Sequence, residues 1–225
     1  MSSTWAVIVA AGRGDRLGLD RPKAFAKLKG RPLLAESLER LEASEWVEAI
    51  VLVAPPEWEE PSILVAEEIG AGKITACVPG GETRAESVRA GVAEVESDAL
   101  VVLVHDAARP ALPEEVVERV LAPLGQGWDG AIPALPVADT LKRAAEDGSV
   151  VETVDRAGLH AVQTPQAFLA PVLREALAGD LGDASDCATL VERRGGRVRV
   201  VEGDRRLLKV TTQADLAFVE TLLDE

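Results

Sequence analysis

The chain has 225 residues and a formal charge of −14, from 24 Lys+Arg against 38 Asp+Glu. A core of this size is stable without a disulfide or metal staple, and an ordered composition with 47% hydrophobic residues excludes a disordered segment. The acidic balance and seven aromatic residues, none of them Tyr, argue against nucleic-acid binding, which needs a basic face or stacking platforms.

Thr4 leads straight into an apolar run with no basic leader before it, and no stretch approaches the ~20 apolar residues that cross a bilayer. The expectation is a cytoplasmic protein without membrane partners. Runs at 5–10, 49–54, 74–78, 100–105 and 130–134 read as buried strands. Helical spacing appears between them, at Leu33, Leu34, Leu38 and Leu41 over 33–42, and at Val88, Val92 and Val95 after Thr83. This alternation predicts one α/β domain over 1–225, a Rossmann-like, mostly parallel sheet with helices on both faces. Thr83 and Glu86 form a capping-box pattern, and Thr212 to Asp215 repeats it ahead of a last helix through Leu223. One stretch breaks the alternation. Residues 136–154 read as a hairpin, with strands at 137–143 and 150–154 around the turn at 146–149, and a long hairpin is unstable alone. It is expected to pack on another chain as a dimer arm at about 136–156, the alternative being that it folds back over the site.

Ligands of open parallel sheets bind beyond the carboxyl ends of the strands. The first strand is followed by Ala10, Ala11, Gly12, Arg13, Gly14, Asp15, Arg16 and Leu17. Leu17 stands where a dinucleotide fingerprint needs Gly or Ala, and no Gly-Lys-Ser/Thr follows. What remains is a glycine loop with Arg16 and Lys23, a combination of amides and cations that suits a triphosphate. Asp106 closes the fourth strand, where a carboxylate can share Mg²⁺ with substrate phosphates or, equally on local sequence, cap a turn or helix. His105 reads as a packing or hydrogen-bonding residue, not a base, and His160 has no evident partner. Cys77 and Cys187 fit no metal spacing and are expected to stay reduced.

Seven segments in order carry a resemblance across nearly the whole chain: Ala10-Ala11-Gly12-x-Gly14-x-Arg16-Leu17 with Pro22-Lys23, Gly80-Gly81-Glu82-x-Arg84-x-x-Ser87, Val104 to Pro110, Asp139-Thr140-x-Lys142, Thr153 to Arg156, Gln163 to Gln166, and Lys209-Val210-Thr211. The sequence resembles the 2-C-methyl-D-erythritol 4-phosphate cytidylyltransferases. The resemblance implies cytidylyl transfer from CTP to the polyol phosphate in non-mevalonate isoprenoid synthesis, with Mg²⁺ and a homodimer. It implies that Lys23, Arg16 and the loop residues Ala10, Ala11, Gly12 and Gly14 bind the triphosphate. Gly81, Glu82 and Ser87 would surround the cytosine, Asp106 would hold Mg²⁺ with Ala107 near the ribose, and Lys209 would face the reacting phosphates. Arg109, Thr140, Arg156 and Thr164 would hold the polyol phosphate, Thr140 and Arg156 coming from the second subunit's arm. Ala24, Glu82 and Leu207 depart from the family pattern, the last replacing a common Asn. The competing readings are a sister enzyme acting on ribitol 5-phosphate, a nicotinamide-dependent oxidoreductase, and a nucleotide-binding regulator without catalysis.

Overall fold

Alternation within each buried run decides which of two helical layers a side chain joins. In the computed structural model, which describes residues 3–12 and 14–223 with the Asp15 side chain left out, the first run is β1 (Thr4–Val9). There follow the short β2 (Lys27–Leu28) and β3 (Arg31–Pro32), then α1 (Leu33–Ala43), β4 (Ala49–Ala54), α2 (Glu59–Glu68), β5 (Ile74–Pro79), α3 (Arg84–Ala93) and β6 (Val101–Asp106). The second half runs through α4 (Glu114–Leu121), β7 (Gly130–Pro136), β8 (Leu141–Ala144), β9 (Val150–Val154), β10 (His160–Val162) and β11 (Gln166–Leu169). It closes with α5 (Ala170–Ala178), α6 (Cys187–Arg193), β12 (Val198–Glu202) and α7 (Gln213–Leu222).

Ala6 and Ile8 of β1, with Ile50 and Leu52 of β4, pack beneath Leu34, Leu38 and Leu41 of α1 and Val116, Val117 and Val120 of α4. Trp5, Val7, Val51 and Val53 point the other way, against Val88 and Val92 of α3 and Leu173 and Leu177 of α5. Strands covered on both faces have no polar side to show, which is why their sequences read as continuous apolar runs.

The sheet order is β5-β4-β1-β6-β11-β7-β12, with β10 continuing along the β7 edge that β11 starts. The β1, β4, β5 and β6 pairings are parallel, as is β7 with β12, whereas β11 runs antiparallel between β6 and β7. After β1 the chain builds outward to β4 and β5, then returns to place β6 on the other side of β1. The crevice beyond the carboxyl ends of β1 and β6 is therefore the point where strand order reverses, the place where open α/β sheets take ligands.

The strand expected at 49–54 is β4 itself, and the other four differ at their ends by one or two residues. The Thr83 capping box is formed, with Glu86 N–H to Thr83 Oγ1 at 3.1 Å and Thr83 N–H to Glu86 Oε2 at 2.9 Å. The Thr212 box forms too. The hairpin exists as the separate two-stranded β8–β9 sheet, almost wholly exposed. Its first strand starts at Leu141 rather than 137, because Val137 still donates its N–H to Leu159 O and so prolongs the β7–β10 ladder. At the sheet's far edge, the Arg197 and Arg199 guanidinium groups lie 4.6 and 5.5 Å from the centre of the Trp128 ring. Among the described residues no helix is long and apolar enough to cross a membrane.

Candidate active site

The loop after β1 is shaped by what presses against it. Gly14 has φ +78°, and a Cβ there would lie 2.5 Å from Lys23 Cβ, so only glycine allows the loop to close over the lysine. Leu17 is buried with Leu28, Leu33, Val210 and Val219, and its carbonyl oxygen accepts from Gln213 Nε2 at 3.0 Å. The residue that breaks the dinucleotide fingerprint is thus the loop's anchor. Opposite, Gly80 leaves no room for a side chain between Ala11 and Ser87.

A cleft of about 1060 Å³ opens between these two turns. Ala10, Ala11, Gly12, Gly14, Lys23, Gly81, Glu82, Ser87, Asp106, Ala107 and Lys209 all line it, bringing most of the sequence-expected nucleotide residues to one place. Trp58, Arg84, Glu86 and Arg89 line it as well, and sequence reasoning gave none of them a ligand-binding role. Ser87 commits its one hydroxyl proton within the turn, which leaves it a lone pair to offer a ligand. Its hydroxyl accepts from Gly81 N–H at 3.1 Å and donates to Thr83 O at 2.9 Å, so it pins the glycine turn.

Asp106, the last residue of β6, is the pivot. Its Oδ1 accepts from Arg84 Nε at 2.9 Å and its Oδ2 from Lys209 Nζ at 2.7 Å, with the carboxylate side chain only 7% exposed. Burial alone would raise the carboxyl's pKa, but Arg84 and then Lys209 outweigh it and hold it well below the usual carboxylate range. The local chain explains the meeting. Ala107 N–H bonds to Val9 O at 3.0 Å, Ser37 Oγ donates to Ala107 O at 2.9 Å, and Val210 N–H bonds to Ala108 O at 2.8 Å, so β1, α1 and the Lys209 segment converge on one turn. Lys23 lies close enough to feel these charges. Burial, then the Lys209 charge, with Arg16 and Arg109 adding and Asp106 opposing, pushes its ammonium from 10.5 down to about 8. Arg16 itself is exposed on the loop.

A second cavity of about 440 Å³ lies beyond this ion bridge and shares Arg84, Asp106 and Lys209 with the first. Arg109, Gln163, Thr164 and Gln166 line it. Arg109 Nε, Arg84 Nη2 and Gln166 Oε1 are buried there without a hydrogen-bond partner. Buried polar atoms left unpaired in this way call for a partner, a water or a ligand group. Arg109 is held by Leu207, which is fully buried and whose carbonyl oxygen accepts from Arg109 Nη1 at 2.5 Å. The Leu207 departure therefore keeps a backbone contact and a core side chain. Thr164 precedes a cis proline and is 3% exposed. His105 is wholly buried, and burial pushes its imidazole down to about 4, leaving the ring neutral.

Arg16, Thr140 and Arg156 are the three expected residues that line neither cavity; Arg16 is exposed on the glycine loop, and Thr140 and Arg156 are exposed beside the β8–β9 arm. Cys77 and Cys187 are free thiols, each pushed up to about 11 by burial, which removes them as nucleophiles. Among the described residues no three His, Cys, Asp or Glu side chains gather as a metal cage. A lone carboxylate next to an amide-lined loop still fits a hard cation that takes its other ligands from phosphates and water.

Residues 4–225 match the family model for IspD, 2-C-methyl-D-erythritol 4-phosphate cytidylyltransferase. The chain belongs to this family. A cytidylyltransferase of that name from Nocardia farcinica is 44% identical over 99% of this chain and 94% of its own length. One from Saccharopolyspora erythraea is 45% identical over 98% and 99%. Among solved structures, a 4-diphosphocytidyl-2C-methyl-D-erythritol synthase superposes with a TM-score of 0.84 at 37% identity, covering all of both chains. The Thermus thermophilus cytidylyltransferase gives 0.79 at 33% identity, over 97% of this chain and 98% of that one. The family is one of nucleotidyltransferases, and its members share this mostly parallel α/β sheet.

Proposed function

We propose that this chain transfers the cytidylyl group of CTP to 2-C-methyl-D-erythritol 4-phosphate, giving 4-diphosphocytidyl-2-C-methyl-D-erythritol and pyrophosphate. The observation that carries the reading is the Arg84–Asp106–Lys209 bridge standing between a glycine-loop cleft and a second polar cavity. One cavity takes the nucleotide and the other the acceptor, so the two phosphates meet at the bridge.

A phosphate oxygen of the polyol phosphate attacks the α-phosphorus of CTP, and the bond to the β-phosphate oxygen breaks as pyrophosphate leaves. A phosphate monoester is already a nucleophile at neutral pH, so no protein base is required, consistent with the neutral, buried His105. The barrier is instead mutual repulsion and charge developing on the transferred group. Lys23, Lys209 and Arg16 offset it from the nucleotide side, where the amides of Gly12 and Gly14 are free of side-chain bulk. Gly81 and Glu82, on the turn that Ser87 pins, bound the base, and Ala107 lies towards the ribose. Asp106 would hold Mg²⁺, which when bound supplies further neutralisation of the phosphates. Arg109 and Thr164 hold the polyol phosphate, joined by Thr140 and Arg156 from the arm of a second copy of the chain in a homodimer.

The test is pyrophosphate release from CTP with a panel of polyol phosphates, repeated with ATP. Fast release with methylerythritol phosphate and CTP, and little with ribitol 5-phosphate or ATP, is the expected result. Equal rates with ribitol 5-phosphate would transfer the assignment to the sister activity.

A further inference from the structure

His105 sits at the back of the acceptor cavity, and its two ring nitrogens have unlike partners. Nε2 lies 3.1 Å from Arg109 O, a carbonyl oxygen that can only accept, so the ring proton is on Nε2. In the neutral ring Nδ1 is then an acceptor, and it lies 3.2 Å from Thr164 Oγ1. Thr164 must donate its single hydroxyl proton there. The same oxygen accepts from Asp106 N–H at 3.0 Å. The hydrogen bonds thus run one way, from Asp106 N–H to Thr164 and from Thr164 to His105, which in turn donates to Arg109 O.

We infer that His105 is a positioning residue that fixes the polarity of Thr164, so that Thr164 meets the acceptor substrate only as a hydrogen-bond acceptor, accepting from a polyol hydroxyl and donating nothing to the phosphate. This rests on the reading of the second cavity as the polyol phosphate site. A hydroxyl oxygen has two lone pairs, of which Asp106 N–H occupies one, so one remains for a substrate hydroxyl. A phosphate oxygen, itself an acceptor, gains nothing from that lone pair. Phosphate recognition then falls to the guanidinium groups of Arg109 and Arg84, which line the same cavity. His105 does this without touching substrate: it holds the Thr164 proton through Nδ1 and the Arg109 backbone through Nε2.

The chain has only two histidines, so a long-range ¹H–¹⁵N spectrum of the full protein, with His160→Gln for assignment, reads the His105 tautomer directly. A protonated Nε2 and bare Nδ1 are expected; a protonated Nδ1 overturns the inference even if no variant folds. In steady state, His105→Phe should raise KM for the polyol phosphate about tenfold, the worth of one hydrogen bond, with KM for CTP unchanged. His105→Asn, which returns an acceptor near Nδ1, should recover most of that loss. With a panel of monodeoxy polyol phosphates, one analogue should cost wild type about tenfold and cost Thr164→Val nothing more. An unaltered KM in His105→Phe, or no coupling between Thr164→Val and any analogue, overturns the inference in an enzyme that otherwise turns over. A wild-type chain that releases no pyrophosphate with any polyol phosphate fails the functional reading instead, and the spectrum still decides the polarity.

Discussion

Lys23 and Asp106 both line the glycine-loop cleft, and their electrostatics have opposite consequences. Asp106 is stabilised as an anion by Arg84 and Lys209, whereas Lys23 is a cation among cations. Because the native Lys23 loses its proton near pH 8 and the unfolded chain holds it to about 10.5, the unfolded state binds more protons between these values. Native stability therefore rises with pH across that window, and below pH 8 the whole cost is present. Lys23→Met should stabilise the protein at pH 7 by about 1–2 kcal/mol, after screening of a partly exposed group, while turnover falls by about a hundredfold or more. The gain should shrink above pH 8 and vanish near 10.5 in denaturant titrations at a series of pH values. A Lys23→Met gain over wild type that is no larger at pH 7 than at pH 10.5 would show that the ammonium is well solvated. Asp106, at the end of an apolar strand, was legible as a site residue from sequence. Its pairing with Arg84 was not, since the two are joined only when the first turn of α3 is laid against the end of β6.

Elements place these residues through their turns. The Gly80-Gly81 turn joins β5 to α3, and its tightness depends on Ala11 and Ser87 filling the space beside Gly80. Gly80→Ala should push that turn from the glycine loop and raise KM for CTP about tenfold or more, with a smaller change in KM for the polyol phosphate. Equal effects on both substrates, measured by pyrophosphate release, would mean that the turn supports the whole site and not the nucleotide alone. The glycine pair and its capping box could be read in the sequence because helix starts are local chemistry. The antiparallel β11 could not, because Gln166 to Leu169 is a short segment whose direction is set by neighbours distant in sequence. The second cavity was hidden for the same reason: its orphaned donors come from α3 and the turn after β6, and its orphaned acceptor from β11.

For the whole molecule, the decisive question is where Thr140 and Arg156 act, since the chain carries them away from its own cavities. If the arm completes a neighbour's site, homodimers of Arg156→Ala and of Lys23→Ala are each inactive, yet a mixed dimer has one intact site. Co-refolding equal amounts should recover about a quarter of wild-type turnover, half the dimers being mixed and half their sites whole. No recovery with mixed dimers present would place Arg156 in its own subunit's cleft. The sheet's last strand bears on a different property. β12 has an unpaired edge, and such edges recruit other chains into sheets unless something discourages them. Arg197 and Arg199, held over Trp128, keep two positive charges beside that edge, so a second copy approaching strand to strand meets like charge and a bulky stacked cluster. Exchanging both for Val should leave turnover intact and show instead as time-dependent light scattering in concentrated, warmed samples; clear solutions would mean that the edge is shielded by something other than these guanidinium groups. The arginine–tryptophan stack thus bears on solubility at the β12 border of the sheet, β5 forming the other border.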